Sequence, residues 1–421
     1  MSQIDVDDFA AEAGAWLAAN GEPKLADDGA SGEVVWGEGE LDVAVFHNLS
    51  HGDESDLLHA LRSWQQRKAE RGYHAITWSP AYGGLGLTAS HARAFRKLES
   101  GYVVPSSHES FSVTIGLIVP TIDLFGTPEQ KERHIASFLR TDELCIQLFS
   151  EPGAGSDLAN LSLRADRDGD EWVLNGQKVW TSGAQFAQWG ECIARSDFDA
   201  PKHKGMTAFI LPLDLDGITV RPIRQMSGGQ SFNEVFFDDV RVPDDMRLGD
   251  IGAGWKVALT TLGFERDHSD SGGGATNRPG GSWAQVLGLA RWLGVTDQPV
   301  IRQQLADLFV NKRVEAWAAK RSADLAKGGT PGPEGSIGKL IWTENMTRMS
   351  AVVSSLLGSR LAADSGEWGT YVWNDHVLGA PGYRIAGGSD EVQRNIIGER
   401  VLGLPGEPRV DKGIPFKDVP R

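Results

Sequence analysis

The sequence predicts an α+β multidomain protein: an N-terminal α-helical domain, a central antiparallel β domain and a C-terminal four-helix bundle. Three observations predict it. Apolar residues recur at helical spacing up to about residue 145, they alternate in short runs from about 144 to 250, and helical periodicity returns from Gly254 onward. The 421 residues are enough for two or three domains around a large buried core, with boundaries drawn at 1–143, 144–250 and 251–421.

The first segment earns its helical reading from stretches such as DLLHALRSWQQRKAERGY (56–73) and LIVPTIDLFGTPEQKERHIASFL (117–139), separated by Gly, Pro and Thr. The second contains LCIQLFS, WGECIARSD, GMTAFILPL, GITVRPI and NEVFFDDVRVP, short enough for strands. Asp168-Gly169 and Asn175-Gly176 read as the turns between them. The third holds about four long helical blocks, broken by SDSGGGATNRPGG (269–281) and KGGTPGPEGSIG (327–338), which read as mobile loops.

Composition narrows the function. Lys plus Arg number 41 against 57 Asp plus Glu, a formal charge of -16, which argues against nucleic acid or an anionic membrane as partner. No stretch approaches the roughly 20 apolar residues that cross a bilayer, and the N-terminus is acidic where a signal peptide is basic, so a cytoplasmic location is expected. Cys145 and Cys192 stand alone in apolar runs and read as small buried hydrophobes. The 14 tryptophans suit both a heavy core and a site for a flat aromatic ligand.

Familiar nucleotide and metal signatures fail on inspection. Gly153 and Gly155 in EPGAGSDL are followed by Leu158 where a dinucleotide fingerprint needs a third glycine, and a strand-like run follows instead of a helix. GSIGKL (335–340) lacks the first glycine and the hydroxyl residue of a phosphate-binding loop. His47 and His51 have helical spacing but no third ligand, so no metal site is expected.

Three blocks then carry a resemblance: LFSEPGAGSDLANL with NGQKVWTSGA, FNEVFFDDVRVP, and the terminal IAGGSDEVQRNIIGERVLGLP. Together, from about residue 72 to the C-terminus, they resemble the acyl-CoA dehydrogenase family. That resemblance implies the same three-domain fold, FAD as cofactor, oxidation of an acyl-CoA thioester to a trans-2-enoyl-CoA, and electron delivery to an electron-transfer flavoprotein. It places Gln147, Phe149 and Ser150 along the flavin, Gly155 and Ser156 near a cofactor or substrate phosphate, Trp180 on the ring, and the Ser182 hydroxyl near N5. Such chemistry needs a carboxylate to take the proton α to the thioester and hydrogen-bond donors to hold the enolate charge.

The resemblance also shows where this chain departs. Many members place a glutamate in the loop before the last helix; aligned on Val392-Gln393-Arg394, Gly387 stands at that glutamate, beside Gly388 and Ser389. Asp390 and Glu391 then read as helix-cap and cofactor contacts in a first helical turn. A second branch of the family carries its base in a Leu-x-x-Glu-Arg helix, matched here by Leu262-Gly-Phe-Glu265-Arg266. Ala258, Leu262 and Glu265 share one helical face, so Glu265 ends an apolar stripe where its pKa should rise toward that of a useful base. Glu265 is therefore the expected base, Ser389 and Glu391 cofactor contacts, and Arg266, Gly387 and Gly388 substrate contacts. The family's Arg-x-x-Phe-Gly motif is not matched around Arg291, which implies a homo-oligomer or a heterotetramer with a second acyl-CoA dehydrogenase subunit, as in steroid-degrading members. The alternatives are a non-catalytic or half-site subunit of such a heteromer, and an acyl-CoA oxidase on the same fold.

Overall fold

The computed structural model describes residues 4–24, 36–38, 41–46, 48–267, 280–325, 332–408 and 411–419. Much of both glycine-rich loops, and His47, lie outside the described residues. The N-terminal part contains α1 (Val6–Asn20), α2 (His51–Ala69), α3 (Ala89–Glu99), α4 (Glu109–Val113), α5 (Val119–Phe125) and α6 (Pro128–Arg140). Local chemistry sets their starts. The Asp5 carboxylate accepts from the Asp7 amide, Ser50 from the Asp53 amide, and Thr127 forms a reciprocal capping box with Gln130 ahead of Pro128. Phe9, Leu17, Trp64, Tyr73 and Phe95 close a core of their own, beside a two-residue ladder of β1 (Glu22–Pro23) and β2 (Tyr102–Val103). Between α4 and α5 a π-helical turn spans Thr114–Ile118, and its Thr114 hydroxyl contacts the carbonyls of Ser110 at 2.7 Å and Cys145 at 2.9 Å.

The middle part is a sheet of eight strands: β3 (Cys145–Leu148), β4 (Arg164–Asp168), β5 (Glu171–Ser182), β6 (Trp189–Arg195), β7 (Met206–Pro212), β8 (Ile218–Ile223), β9 (Phe232–Pro243) and β10 (Arg247–Leu248). Its order is β10-β7-β6-β4-β5-β9-β8, with β3 beside β6. Two expectations need correction. The sheet is mixed, because β3 runs parallel to β6 and β4 touches β6 in parallel through Arg164 and Arg195. A parallel partner needs no adjoining turn, so no turn signal announced it. Asp168-Gly169 does join β4 to β5, but Asn175-Gly176 lies inside β5 as a bulge.

Side chains decide that second case. The Asn175 amide donates to the Asp239 carboxylate at 2.9 Å, and the Asn175 carbonyl oxygen accepts from the Asp239 amide at 2.9 Å, which ties the bulge to β9. Gly176, at φ 142°, brings its backbone so close to Leu163 that a Cβ would lie 3.1 Å from the Leu163 Cα. Asn175→Ala is expected to lower stability by about 1 kcal/mol, read as a lower urea midpoint at unchanged slope.

Every residue of β6 is buried, as expected of a strand covered on both faces. One face packs with Leu174, Phe209, Val235 and Val240 inside the β domain, and the other meets Ile122, Ile135 and Phe138 of the N-terminal helices. The last part comprises α7 (Gly254–Asp267), α8 (Trp283–Trp292), α9 (Pro299–Leu325), α10 (Gly335–Leu357), α11 (Trp373–Tyr383) and α12 (Asp390–Ile396). Val286, Leu289, Leu308, Val353 and Trp373 form the bundle core, whereas Val257 and Ala258 of α7 join the core shared by the sheet and N-terminal helices. No helix among the described residues is long and apolar enough to cross a membrane.

Two segments cross between these parts. Val43 enters the bundle core, Trp36 stacks on Trp292 at 5.1 Å, and Phe46 stacks on Tyr383 of α11 at 4.8 Å. Near the other terminus Phe416 is 1% exposed under the guanidinium of Arg195, 3.7 Å from its ring centre, and its amide donates to the Ala200 carbonyl.

Candidate active site

The end of β3 and the second half of β5 are fastened side by side. The Val179 amide donates to the Ser150 carbonyl at 2.9 Å, and the buried Lys178 ammonium donates to the Phe149 carbonyl at 2.9 Å and the Glu151 carboxylate at 2.8 Å. Glu151 also accepts from the amides of Ser162 at 2.7 Å and Leu163 at 2.8 Å, so one buried ion pair holds both ends of the 149–163 loop.

Between Lys178 and Thr181 the β5–β9 register shifts, and in that bulge Trp180 takes φ 61°. A bulky residue with positive φ is strained, and bulges re-aim side chains. The consequence is a large apolar ring that is 59% exposed between the buried residues Val179 and Thr181, with the edge of Phe232 against it at 6.0 Å. Trp180 is thus not a core residue of the hairpin.

Beyond the bulge, Ser182 and Gly183 face the start of α4. The Ser182 hydroxyl hydrogen-bonds the Glu109 carboxyl. Gly183 sits so close to Ser110 that a Cβ there would clash with its hydroxyl, at 1.9 Å. Glu109 is exposed at its surface, but the protein packed around it desolvates its carboxyl and pushes it up, and Ser182 and His108 offset part of the rise. His108 is itself paired with the buried Glu54 at 2.9 Å. Four buried polar atoms bordering this stretch find no partner among the described residues: Gln147 Nε2, Ser110 Oγ, Thr181 Oγ1 and Asn233 Oδ1. Leaving such groups unpaired is costly, so their concentration here marks a place built for a polar ligand.

The turn before α12 lies on the bundle. Gly387 and Gly388 take φ of 64° and 85°, and the Gln393 amide donates to both carbonyls, at 3.0 and 3.3 Å. Ser389 is the N-cap, accepting from the Val392 amide, and Glu391 is exposed in the first turn. Asp390 differs from the cap and cofactor contact expected of it. It is 1% exposed and accepts from Arg384 Nε at 2.6 Å and Thr343 Oγ1 at 3.1 Å, with Lys339 4.0 Å away, so its carboxylate is consumed in bracing α12 against α10. An aromatic relay joins this turn to β5: Tyr383 on Phe46, Phe46 against Phe232 at 5.3 Å, and Phe232 against Trp180.

The structure therefore sets Phe149 and Ser150, just past β3, beside the second half of β5, which carries Trp180 and Ser182, with Gln147 in β3 itself. Gly155 and Ser156 lie exposed in the loop that Glu151 and Arg195 fasten; the Arg195 guanidinium donates to the carbonyls of Ala159 and Leu161. Gly387, Gly388, Ser389 and Glu391 form a separate turn. Glu265 and Arg266 fall in the last turn of α7, and their side chains lie outside the described residues. Sequence reasoning missed Glu109, Ser110, Thr181 and Asn233, whose polar groups meet only after folding. It also passed over Glu191, the one carboxyl in the buried strand WGECIAR, a signal that was there to be read. Cys145 and Cys192 are fully buried, and burial pushes both thiols up, that of Cys192 to about 12.

Models of three domains match consecutive stretches of the chain: acyl-CoA dehydrogenase N-terminal domain over residues 50–142, middle domain over 147–240 and C-terminal domain over 252–402. The chain belongs to the acyl-CoA dehydrogenase family. Among acyl-CoA dehydrogenases it is 36% identical to the acyl-CoA dehydrogenase IpdE1 of Mycobacterium tuberculosis, over 96% of this chain and 99% of that protein. It is 38% identical to the acyl-CoA dehydrogenase FadE34 of the same organism, over 80% of this chain and 45% of that longer protein. Of solved acyl-CoA dehydrogenase structures, the Tcur3481-Tcur3483 steroid ACAD superposes with a TM-score of 0.70 at 25% identity, covering 96% of this chain and 98% of that one. The ChsE4-ChsE5 complex from Mycobacterium tuberculosis gives 0.68 at 26% identity, covering 97% and 100%.

Proposed function

We propose that this acyl-CoA dehydrogenase family member binds FAD and catalyses α,β-dehydrogenation of an acyl-CoA thioester, with Glu265 as the base and an electron-transfer flavoprotein as acceptor. The observation that carries the reading is the out-turned Trp180 beside the unpartnered polar atoms of Gln147, Thr181, Ser110 and Asn233. A flat apolar ring flanked by orphaned donors and acceptors suits an isoalloxazine, which has an apolar face and a polar edge. Bound there, FAD supplies a two-electron hydride acceptor.

The chain's own residues do the rest. Trp180 and Phe149 confine the cofactor, Ser182 and Gln147 offer it hydrogen bonds, and Gly155 and Ser156 meet a phosphate. The turn at Gly387 and Gly388 borders the thioester, with Ser389 and Glu391 as cofactor contacts and Arg266 on the substrate side. Glu265 takes the proton from the carbon α to the carbonyl, and hydrogen-bond donors hold the charge that develops on the oxygen.

The substrate class favoured is a bulky steroid-derived thioester. It is supported by the steroid ACAD likeness at 25% identity and by Gly387 standing where many members carry a glutamate. The same likeness and the ChsE4-ChsE5 complex support a second acyl-CoA dehydrogenase subunit as partner, and the unmatched motif around Arg291 favours that subunit completing the cofactor site. The test is purification alone and co-expressed with a candidate partner subunit. Yellow protein that bleaches anaerobically with a steroid side-chain thioester is the expected outcome, and colour only in the co-expressed form identifies a shared site. Flavin that no straight, branched or steroidal acyl-CoA bleaches would overturn the proposal.

A further inference from the structure

The fully buried strand β6 carries a carboxyl, Glu191, in its middle as well as the Arg195 guanidinium at its end. Glu191 is 0% exposed, and its Oε1 lies 2.7 Å from the Thr261 hydroxyl of α7. Thr261 lies 3.0 Å from the Thr121 hydroxyl of α5 and 3.2 Å from the Val257 carbonyl, and Thr121 donates to the Leu117 carbonyl at 2.7 Å. Glu191 Oε2 has no partner among the described residues.

Counting protons bears on the charge state. The two threonine hydroxyls hold one proton each. Thr121 donates to Leu117 and Thr261 donates to Glu191 Oε1, the shortest contact of each, which leaves Glu191 Oε2 with no donor among the described residues. A neutral acid leaves Oε2 uncharged, where a buried unpaired carboxylate oxygen would be expensive. Burial independently pushes the Glu191 carboxyl up to about 8, with Thr261 offsetting part of the rise.

We infer that Glu191 is a positioning residue for α7: as the neutral acid it accepts from Thr261, which in turn lies against Thr121 of α5, clamping α7 between β6 and α5 one turn before Glu265. Thr261 and Glu265 are four residues apart, so the clamp acts on the turn that carries the proposed base. The base assignment rests on the function proposed above; the clamp does not. The groups packed around Glu191 add no charge to it. Cys145 on β3 and Cys192 on β6 present thiols kept protonated by burial, β3 sets Gln147 and β7 sets Ile210 opposite it, and α7 and α5 present the two threonines.

A charge forming on this buried carboxyl with one bare oxygen would cost the contact its stability, which predicts an alkaline loosening of α7 that a neutral amide at position 191 would abolish. The experiment compares wild type, Glu191→Gln, Glu191→Leu and Thr261→Val by amide hydrogen exchange across α7 from about pH 6 to about pH 9, without added substrate. It adds kcat and KM for the flavin-loaded enzyme, with its partner subunit if one is required. The wild-type to Glu191→Gln exchange ratio in α7 should rise above about pH 8, while exchange in α1 stays matched. Glu191→Leu and Thr261→Val should lose about tenfold or more in kcat with KM little changed, and Glu191→Gln should stay within about twofold near pH 7 and lack an alkaline decline. A constant wild-type to Glu191→Gln exchange ratio throughout the pH range overturns the clamp, and it decides the matter even if Glu191→Leu fails to fold. Failure of the base assignment is seen separately, as turnover surviving Glu265→Gln.

Discussion

Glu265→Gln is expected to lower turnover by about 10²- to 10⁴-fold while leaving bound flavin and its spectrum in place, the range over which a positioned general base contributes. Three features of the fold converge on this residue. The α7 face formed by Val257, Ala258 and Thr261 is fully buried against the sheet and α5, and Glu265 follows Thr261 by four residues in the same helix. Of the two acids in the turn before the last helix, Asp390 is locked to Arg384 and Thr343, and Glu391 is exposed. At the remaining position the backbone has φ 64°, comfortable for Gly387 and strained for a glutamate. Glutamine matches glutamate in shape and cannot take a proton, so anaerobic stopped-flow bleaching by an acyl-CoA isolates the chemical step. Bleaching at the wild-type rate would remove Glu265 from the mechanism.

Lys178→Met should destabilise the protein by about 3 kcal/mol or more, the usual penalty for stripping one partner from a buried ion pair. Lys178 is 0% and Glu151 7% exposed. Without the ammonium, the Glu151 carboxylate keeps the amides of Ser162 and Leu163 but loses its countercharge, and the Phe149 carbonyl loses its donor. Urea unfolding should show the loss, and adding Glu151→Gln should recover part of it by removing the stranded charge. A Lys178→Met variant as stable as wild type would show that the pair contributes nothing net. Because Phe149 and Ser150 are fixed through this pair, flavin should also bind more weakly to the single variant.

Much of the architecture was legible because its signals are periodic. The change from helical to alternating apolar spacing near residue 144, and back at Gly254, coincides with the sheet spanning Cys145–Leu248. What escaped depends on contacts between distant residues. Asn175-Gly176 has the composition of a tight turn, and only the Asp239 side chain and backbone opposite make it a bulge. The parallel pairing of β3 with β6 leaves no local mark, because the two strands are joined through other elements. The same holds for the site. Motif resemblance singled out Trp180 and Ser182, but Glu109 reaches Ser182 from another domain, and no spacing rule connects them. Glu191 is the instructive case, since a single carboxyl in a mostly apolar strand is visible in one dimension and its hydrogen bond from Thr261 only in three.

The crossing segments bear on how this molecule comes apart. Val43 and Phe46 complete the packing of a bundle whose helices begin more than two hundred residues later, and Phe416 seals the β domain beneath Arg195. Cutting the chain at 143 and 250 would split the core shared by the N-terminal helices, the sheet and α7, and would take Val43 out of the bundle core. The parts that share those cores are expected to melt together, so that loosening one terminus is felt as lost stability at the other end of the chain.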